Sequence, residues 1–227
     1  MFYFRLNRIL IHSNFRQTIF KKRDKTDVEI YCFITTDDRP LPALKGLTAA
    51  TDEVKKAEML KKAVKDAIET RIFTPVENVK DEHVLTFGDT GFVLYESEKI
   101  PADFHFQMVL IGSRKRQRDN AKMWEEVLKD GELAGFIQST AKLVGIVPNP
   151  VVAAGAEIGK FLTQFILRSY ADKQDDQLGL IYQSWNRMEH YPHGERKRDG
   201  NKDLTGNTEY DYSLFGFEKP KRKKKLQ

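Results

Sequence analysis

Alternating apolar and polar positions predict strands in both halves of the chain. Val28, Ile30, Cys32 and Ile34 are apolar at every second position, which is typical of a half-buried strand. The run 104–110 alternates in the same way, but the positions between are also largely apolar, so it predicts a central strand. Similar runs predict further strands near residues 4–11, 84–87, 92–96, 178–182 and 210–214.

Helical periodicity replaces strand alternation in two parts of the chain. Residues 51–72 carry apolar side chains on one face and lysines on the other, with Thr51 as a suitable N-cap. We expect this helix to end before Pro75. The segments 120–129, 132–147 and 150–170 predict a block of three further helices.

Together these elements predict one domain that is mainly β with α insertions. We expect an antiparallel β-sandwich of about seven or eight strands over residues 1–218. The helix at 51–72 and a helical insertion at about 120–171 would be added to it. Residues 219–227 are predicted to form a disordered basic tail, because they contain almost no apolar side chains.

The formal charge of +5 belongs to that tail. Residues 1–218 hold 32 basic and 33 acidic residues, a net charge of −1, whereas the last nine residues hold six basic residues and no acid. The folded body is therefore not expected to bind nucleic acid, which requires many phosphate contacts. Arg5, Asn7 and Arg8 interrupt the apolar run at the N-terminus, so we predict no signal peptide. The expected location is cytoplasmic or peripheral to a membrane, and nuclear only in a eukaryote.

The sequence offers no recognisable catalytic chemistry. Cys32, the single cysteine, excludes an internal disulfide and a Cys-based zinc site, and its position among apolar residues predicts a core side chain. Residues 189–195 bring two histidines and two glutamates together, but Pro192 and Gly194 predict a surface turn. The common nucleophile and nucleotide-binding motifs do not occur, so we assign no catalytic residue and expect no cofactor.

Basic side chains are concentrated in three internal clusters, at residues 21–23, 114–118 and 196–198. They are either solubilising loops or contacts for phosphates and lipid head groups. The second cluster follows a predicted strand directly, which predicts an exposed loop at one end of the sandwich. The residues we assign to anion or lipid binding are Arg114, Lys115, Arg116 and Arg118, with Lys221, Arg222 and Lys223 of the tail.

The apolar stretch 133–167 has two interpretations. Its many small residues would allow a membrane-inserting helical hairpin. However, Lys142 interrupts the first helix, and Glu157, Lys160 and Arg168 form part of a polar stripe along the second. An amphipathic helix of this kind favours packing on a soluble core.

Three short segments resemble C2 domains. Residues 26–31 (TDVEIY) are similar to the start of an early C2 strand, 101–106 (PADFHF) to a proline and an acid before an F-x-F strand, and 175–179 (DDQLG) to the segment after the third C2 loop. The resemblance implies an antiparallel sandwich over most of the chain. It also implies binding to anionic membranes or protein partners, which in many members requires calcium. An unrelated β-sandwich would show the same strand patterns.

By position, the resemblance assigns four aspartates to a calcium site: Asp24, Asp27, Asp175 and Asp176. Residues 113–116 (SRKR) stand where C2 domains carry further acids, and basic side chains repel calcium. The resemblance therefore implies a calcium-independent module.

Two functions follow from this sequence. The first is a non-catalytic binding module that engages an anionic membrane surface or a protein partner through its loops and basic clusters. The second is a structural subunit of a larger assembly, or a pore-forming, toxin-like protein, in which helices 132–170 form the docking or membrane-active element. An oligomer is compatible with the second.

Overall fold

The computed structural model describes residues 1–15, 17–18, 21–22, 24–113, 120–171, 175–191 and 193–218. Its strands are β1 (Phe2–Ile11), β2 (Gln17–Thr18), β3 (Lys21–Lys22), β4 (Thr26–Thr36), β5 (Ile72–Val79), β6 (His83–Thr86), β7 (Phe92–Ser97), β8 (Asp103–Ser113), β9 (Asp176–Asn186), β10 (Gly194–Lys202) and β11 (Thr208–Gly216). The helices are α1 (Glu53–Thr70), α2 (Asn120–Val127), α3 (Leu133–Val144) and α4 (Pro150–Ala171), with short 3₁₀ turns at Pro42–Leu44 and Leu47–Ala49.

Two antiparallel sheets form the sandwich. The front sheet has the order β10-β11-β1, and both β6 and β7 pair with the other edge of β1. The back sheet has the order β5-β4-β8-β9, while β2 and β3 form a separate ribbon. The helical block from α2 to α4 connects β8 and β9, which are neighbours in the back sheet. The predicted mainly β sandwich with helical insertions is confirmed.

The side chains between the two sheets form an aromatic core. Phe4 of β1 packs against Phe104, Phe106 and Trp185 of the back sheet, with ring centroids 4.8–5.4 Å apart. Such offset and edge-on ring contacts add to the free energy gained by burying the rings. Most residues of β8 are buried, including Val109 and Ile111 on its opposite face, which confirms the predicted central strand.

A second core lies between the back sheet and the helices. Tyr31 and Phe33 of β4 point toward this layer, and α1, α3 and α4 supply most of its remaining apolar side chains. Among the described residues, one helix, α4, is long and apolar enough to cross a membrane, yet 56% of its apolar window is buried inside the protein. The prediction of a packed amphipathic helix describes this arrangement better than an exposed hairpin does.

Two glycines allow α4 to lie directly on the sheet. A Cβ atom built on Gly155 would lie 2.5 Å from Cγ2 of Thr35, and one built on Gly159 would lie 3.0 Å from Oε1 of Gln107. The Gln107 side chain donates a hydrogen bond from Nε2 to the carbonyl oxygen of Ala156 at 2.9 Å. A side chain at position 155 would overlap Thr35, and one at position 159 would require the Gln107 amide to shift.

Several sequence-based boundaries were wrong. The N-cap of α1 is Asp52 rather than Thr51, because the Asp52 carboxylate accepts the amide of Val54 at 3.0 Å. The helix ends at Thr70, since Arg71 takes an extended conformation and Ile72 begins β5. Strand β5 was missed because it contains Pro75, which is tolerated there because β5 pairs only with β4 and forms an edge of the sheet.

The second missed strand is β10. Its sequence, GERKRDGNK, contains no apolar residue, so no alternation predicted it. The described residues after the helical block therefore form three strands, where the sequence predicted two.

Candidate functional site

The four aspartates assigned to calcium lie near one end of the sandwich, which we call the Ser113 end. Asp27 pairs with Ser113, the last residue of β8, and Asp176 pairs with the adjacent Gly112. Asp24 shortly precedes β4, and Asp175 directly precedes β9. The positions implied by the C2 resemblance thus converge on this end of the back sheet.

These aspartates make protein contacts. The exposed Asp24 carboxylate lies 3.3 Å from Nζ of Lys80, and that hydrogen bond lowers the pKa of Asp24. Asp27 Oδ1 accepts the amide of Asn78 at 3.1 Å. Among the residues that the structure describes, no three or more His, Cys, Asp or Glu side chains are arranged to hold a metal ion. The calcium assignment stays a prediction.

The residues assigned to anion binding lie outside the described ranges, but their points of attachment do not. Arg114, Lys115, Arg116 and Arg118 follow Ser113 in sequence. Lys221, Arg222 and Lys223 follow Glu218, the last described residue.

The tail begins at the end of the sandwich opposite Ser113. Met1 and Phe217 exchange backbone hydrogen bonds of 2.6 and 2.9 Å, and Glu218 forms an ion pair with Arg187. Phe2 packs against Phe104, near the start of β8, with ring centroids 5.7 Å apart. Because β8 has 11 residues, the two attachment points lie about 30 Å apart along it. We call this second end the Phe217 end.

The third basic cluster lies along the side of the sandwich between these two ends. Strand β10 starts at Gly194, which pairs with Gly216 at the Phe217 end, and it runs toward the Ser113 end. It carries Arg196, Lys197 and Arg198. Sequence reasoning treated this cluster as a loop, whereas the structure makes it an edge strand. A Gly-bounded segment before the strong β11 pattern was the available signal for a hairpin.

The basic side chains of β10 project in both directions from the strand. Arg196 donates to the carbonyl oxygen of His190 at 2.9 Å, and Lys197 and Arg198 are exposed. Burial raises the pKa of Tyr212 on the adjacent strand, and the positive charges of Arg196 and Arg198 partly oppose this rise. In the described part of the chain, none of the three basic side chains forms an ion pair.

A bulge modifies this edge strand. The register between β10 and β11 shifts between Arg198 and Asn201, where Gly200 has a φ of 65°. The amide of Gly200 donates to Asp211 Oδ1 at 2.7 Å, and Asp211 also forms an ion pair with Arg8 at 2.6 Å. A bulged and charged edge resists pairing with another strand. We therefore infer that its side chains, not its backbone, are available for binding.

A buried carboxylate lies between the back sheet and α4. Glu29 is 6% exposed, and its Oε2 accepts hydrogen bonds from the hydroxyls of Tyr31, at 2.6 Å, and Tyr170. The two hydroxyls are 2.8 Å apart. Burial is the main reason that the pKa of Tyr31 lies far above its usual value. We assign this cluster to the attachment of α4, because a buried carboxylate requires such donors.

A second polar network lies near the start of β8. The Asp38 carboxylate accepts hydrogen bonds from Tyr95, at 2.6 Å, and Ser97. Burial raises the pKa of Asp38, but the hydrogen bonds from Ser97, Tyr95 and Thr36 outweigh it, so this pKa lies below its usual value. These donors hold the end of β4 against β7.

The described residues do not form an activated nucleophile. Burial raises the pKa of the Cys32 thiol to about 12, so the side chain is neutral and enclosed in the sandwich core. In the 189–195 segment, His190 accepts the amide of Asn186 at 3.2 Å, while His193 packs on Phe217 with centroids 5.7 Å apart. The two histidines serve different local contacts.

What remains as a candidate site is a basic side of the sandwich, formed by β10 and bounded by the attachment points of two basic segments. No protein-family model matches this chain, and no curated protein shows significant similarity to it.

Proposed function

We propose that the protein is a non-catalytic module that binds anionic membrane surfaces through the basic side formed by β10, together with the tail. The observation that carries this proposal is the position of β10. It presents Arg196, Lys197 and Arg198 along the side that connects the two ends from which the other basic segments leave.

The distribution of basic residues supports binding to an extended anionic surface rather than to a single anionic group. Strand β10 carries four basic residues and two acidic ones, and six more basic residues follow Glu218 in the last nine residues. A basic residue close to an anionic leaflet contributes about 1 kcal/mol, and this contribution decreases over roughly a Debye length. If the sandwich lies on its side, β10 and both attached segments reach the same flat surface.

The C2-like classification is part of this proposal. The two antiparallel sheets and the convergence of the four aspartates at the Ser113 end support it. In this proposal the basic residues Arg114, Lys115, Arg116 and Arg118 take the place of acidic calcium ligands. Binding would then require anionic lipid but no calcium.

The alternative, a structural or membrane-active role for helices 132–170, has less support. Ile158, Leu162 and Ile166 of α4 are fully buried in the core beneath the helical layer. Releasing α4 would expose these side chains and the buried Glu29 cluster, which costs more free energy than docking a preformed basic side does.

Co-sedimentation with vesicles tests the proposal. We expect the full chain to bind phosphatidylcholine vesicles containing about 30% phosphatidylserine at about 50 mM salt, and to dissociate at about 300 mM. Pure phosphatidylcholine should not bind. A chelator should leave binding unchanged.

Charge-matched variants locate the binding surface. The triple variant R196Q/K197Q/R198Q should bind anionic vesicles about tenfold to 100-fold more weakly, from roughly 1 kcal/mol per charge. Deleting residues 219–227 should weaken binding by at least the same factor, because it removes six basic residues. The control K61Q/K62Q/K65Q removes three exposed charges from α1 and should bind as the wild type does. Equal loss in the control would contradict a specific surface.

A further inference from the structure

A cavity of about 300 Å³ lies between the glycine face of α4 and the last turn of α1. Residues 32–35 of β4 and residues 39–42 form its other walls. Arg39 is exposed, so the cavity opens to solvent beside it. Leu94 and Tyr95 of β7 also line it. Strand β7 pairs with β1 at one edge of the front sheet and β10 forms the other edge, so this cavity is distinct from the basic side formed by β10.

Local structure keeps the cavity open. Gly155 and Gly159 line one side of it with backbone atoms, and their Cα atoms face the sheet side chains Thr35 and Gln107. The segment that includes Pro40 and Pro42 is attached to α1, because the amide of Ala43 donates to Asp66 Oδ2 at 2.8 Å. Proline restricts φ, which reduces the freedom of this segment to collapse inward. The cavity is therefore preformed, as is usual for small-molecule sites.

The charged residues that line the cavity are both positive. They are Arg39 and Arg71, and no aspartate or glutamate belongs to the lining. Burial lowers the pKa of Arg71, whose Nε has no hydrogen-bond partner among the described residues. Neither arginine forms an ion pair within the described part of the chain, and their guanidinium groups instead lie over Tyr95 and Trp124.

The rest of the lining is mostly apolar and includes Phe33, Leu41 and Leu94. Arg71 also donates a hydrogen bond to the carbonyl oxygen of Ile68, while its Nε has no partner among the described residues. A site with apolar walls and two arginines outside any described ion pair favours a ligand that has an apolar body and an acidic group. At about 30 Å³ for each water-sized unit, 300 Å³ holds a ligand of about ten non-hydrogen atoms.

We propose that this cavity binds a small amphipathic carboxylate of the medium-chain class. Its carboxylate lies toward Arg39 and Arg71, and its chain lies along Phe33 and Leu41. A guanidinium group can form two parallel hydrogen bonds with a carboxylate, which a neutral ligand of the same shape cannot replace.

Isothermal titration calorimetry with octanoate tests this assignment on the full chain. We expect saturable binding at one site with a dissociation constant of about 1 mM or lower. Two ligands of the same length control for charge: octanol should bind at least about tenfold more weakly, and n-octylammonium should not bind, because it would face two positive charges.

Variants then locate the site. Arg39→Gln removes an exposed charge, so the protein should remain folded while octanoate binds at least about tenfold more weakly. Thr70→Trp adds a large side chain at the exposed end of α1, where Thr70 lines the cavity, and should abolish binding. Lys65→Gln, also on α1 but outside the lining, should leave binding unchanged. Circular dichroism melts confirm the fold of each variant.

Three results would overturn the proposal. The first is the absence of saturable octanoate binding. The second is equal affinity for octanoate and n-octylammonium. The third is unchanged affinity in both Arg39→Gln and Thr70→Trp. None of these results depends on whether the protein binds vesicles.

Discussion

Replacing Gly155 by alanine tests whether α4 is packed on the back sheet as closely as the structure indicates. The added Cβ would lie 2.5 Å from Thr35 Cγ2, about 1 Å inside an ordinary carbon–carbon contact. Thr35 is buried on the interior strand β4, so neither side can move freely. Overpacking of this kind costs about 1–3 kcal/mol.

Helix propensity acts in the opposite direction. Alanine in a helix interior is favoured over glycine by about 1 kcal/mol. Since a gap of 2.5 Å places the overlap near the upper end of the overpacking range, we expect Gly155→Ala to lower the free energy of unfolding by about 1–2 kcal/mol. Urea unfolding followed by circular dichroism and tryptophan fluorescence measures this change.

A control and a compensating variant isolate the contact. Gly135 on α3 has no neighbouring atom within 4 Å of an added Cβ, so Gly135→Ala should be neutral or stabilising by up to about 1 kcal/mol. Thr35→Ser removes the methyl group that Gly155→Ala would meet, and the double variant should recover about 1 kcal/mol through a coupling between the two sites. If Gly155→Ala is as stable as the wild type, α4 does not lie on β4 in this way.

Three further predictions concern buried polar groups. Cys32 should react with a thiol reagent at pH 8 only as fast as the protein unfolds, because burial raises its pKa to about 12; rapid labelling of the native protein would contradict this. Tyr170→Phe should lower the free energy of unfolding by about 1–3 kcal/mol, because it removes a donor to the buried Glu29, whereas Tyr3→Phe should have little effect in the same urea titration. The pKa of Asp38 lies below its usual value of about 4, so its carboxylate stabilises the fold above that pH, and this contribution is lost as the pH falls through the folded-state pKa. The stability difference between the wild type and Asp38→Asn should therefore shrink between about pH 5 and pH 2, and a difference that is independent of pH would refute this assignment.

The sandwich core could be predicted because its strands alternate strongly. Val28, Ile30 and Cys32 face the aromatic core, as their period of two indicates. The positions between them were also apolar, and the structure explains this by a second layer, since Tyr31 and Phe33 face the helices. Periodicity identifies buried faces well, because the hydrophobic free energy of burial is the main reason that a position is apolar.

Edge strands could not be predicted in the same way. Residues of β10 face solvent on both sides and owe their conformation to backbone pairing with β11, which leaves no apolar pattern. Strand β5 follows α1 after one residue and contains Pro75, which usually indicates a break. Strand β5 is determined by pairing with the distant β4, and β10 by pairing with β11 across a hairpin.

The candidate site also depends on strand pairing that the sequence pattern does not show. The sequence identified 196–198 as a basic cluster, but only the pairing of Gly194 with Gly216 shows that it begins beside the attachment of the tail. The cavity at Arg39 and Arg71 had no sequence signal, because its lining comes from five separate segments of the chain. Local sequence pattern predicts neither the position of the basic cluster beside the tail nor the approach of Arg39 to Arg71.

The affinity of two charge-matched variants for the same anionic vesicles tests the central proposal most directly. R196Q/K197Q/R198Q and K61Q/K62Q/K65Q each remove three positive charges, one set from β10 and the other from α1. We predict that the β10 variant binds at least about tenfold more weakly than the α1 variant at about 50 mM salt. Equal affinities would contradict the proposal that the basic side formed by β10 is the membrane-binding surface.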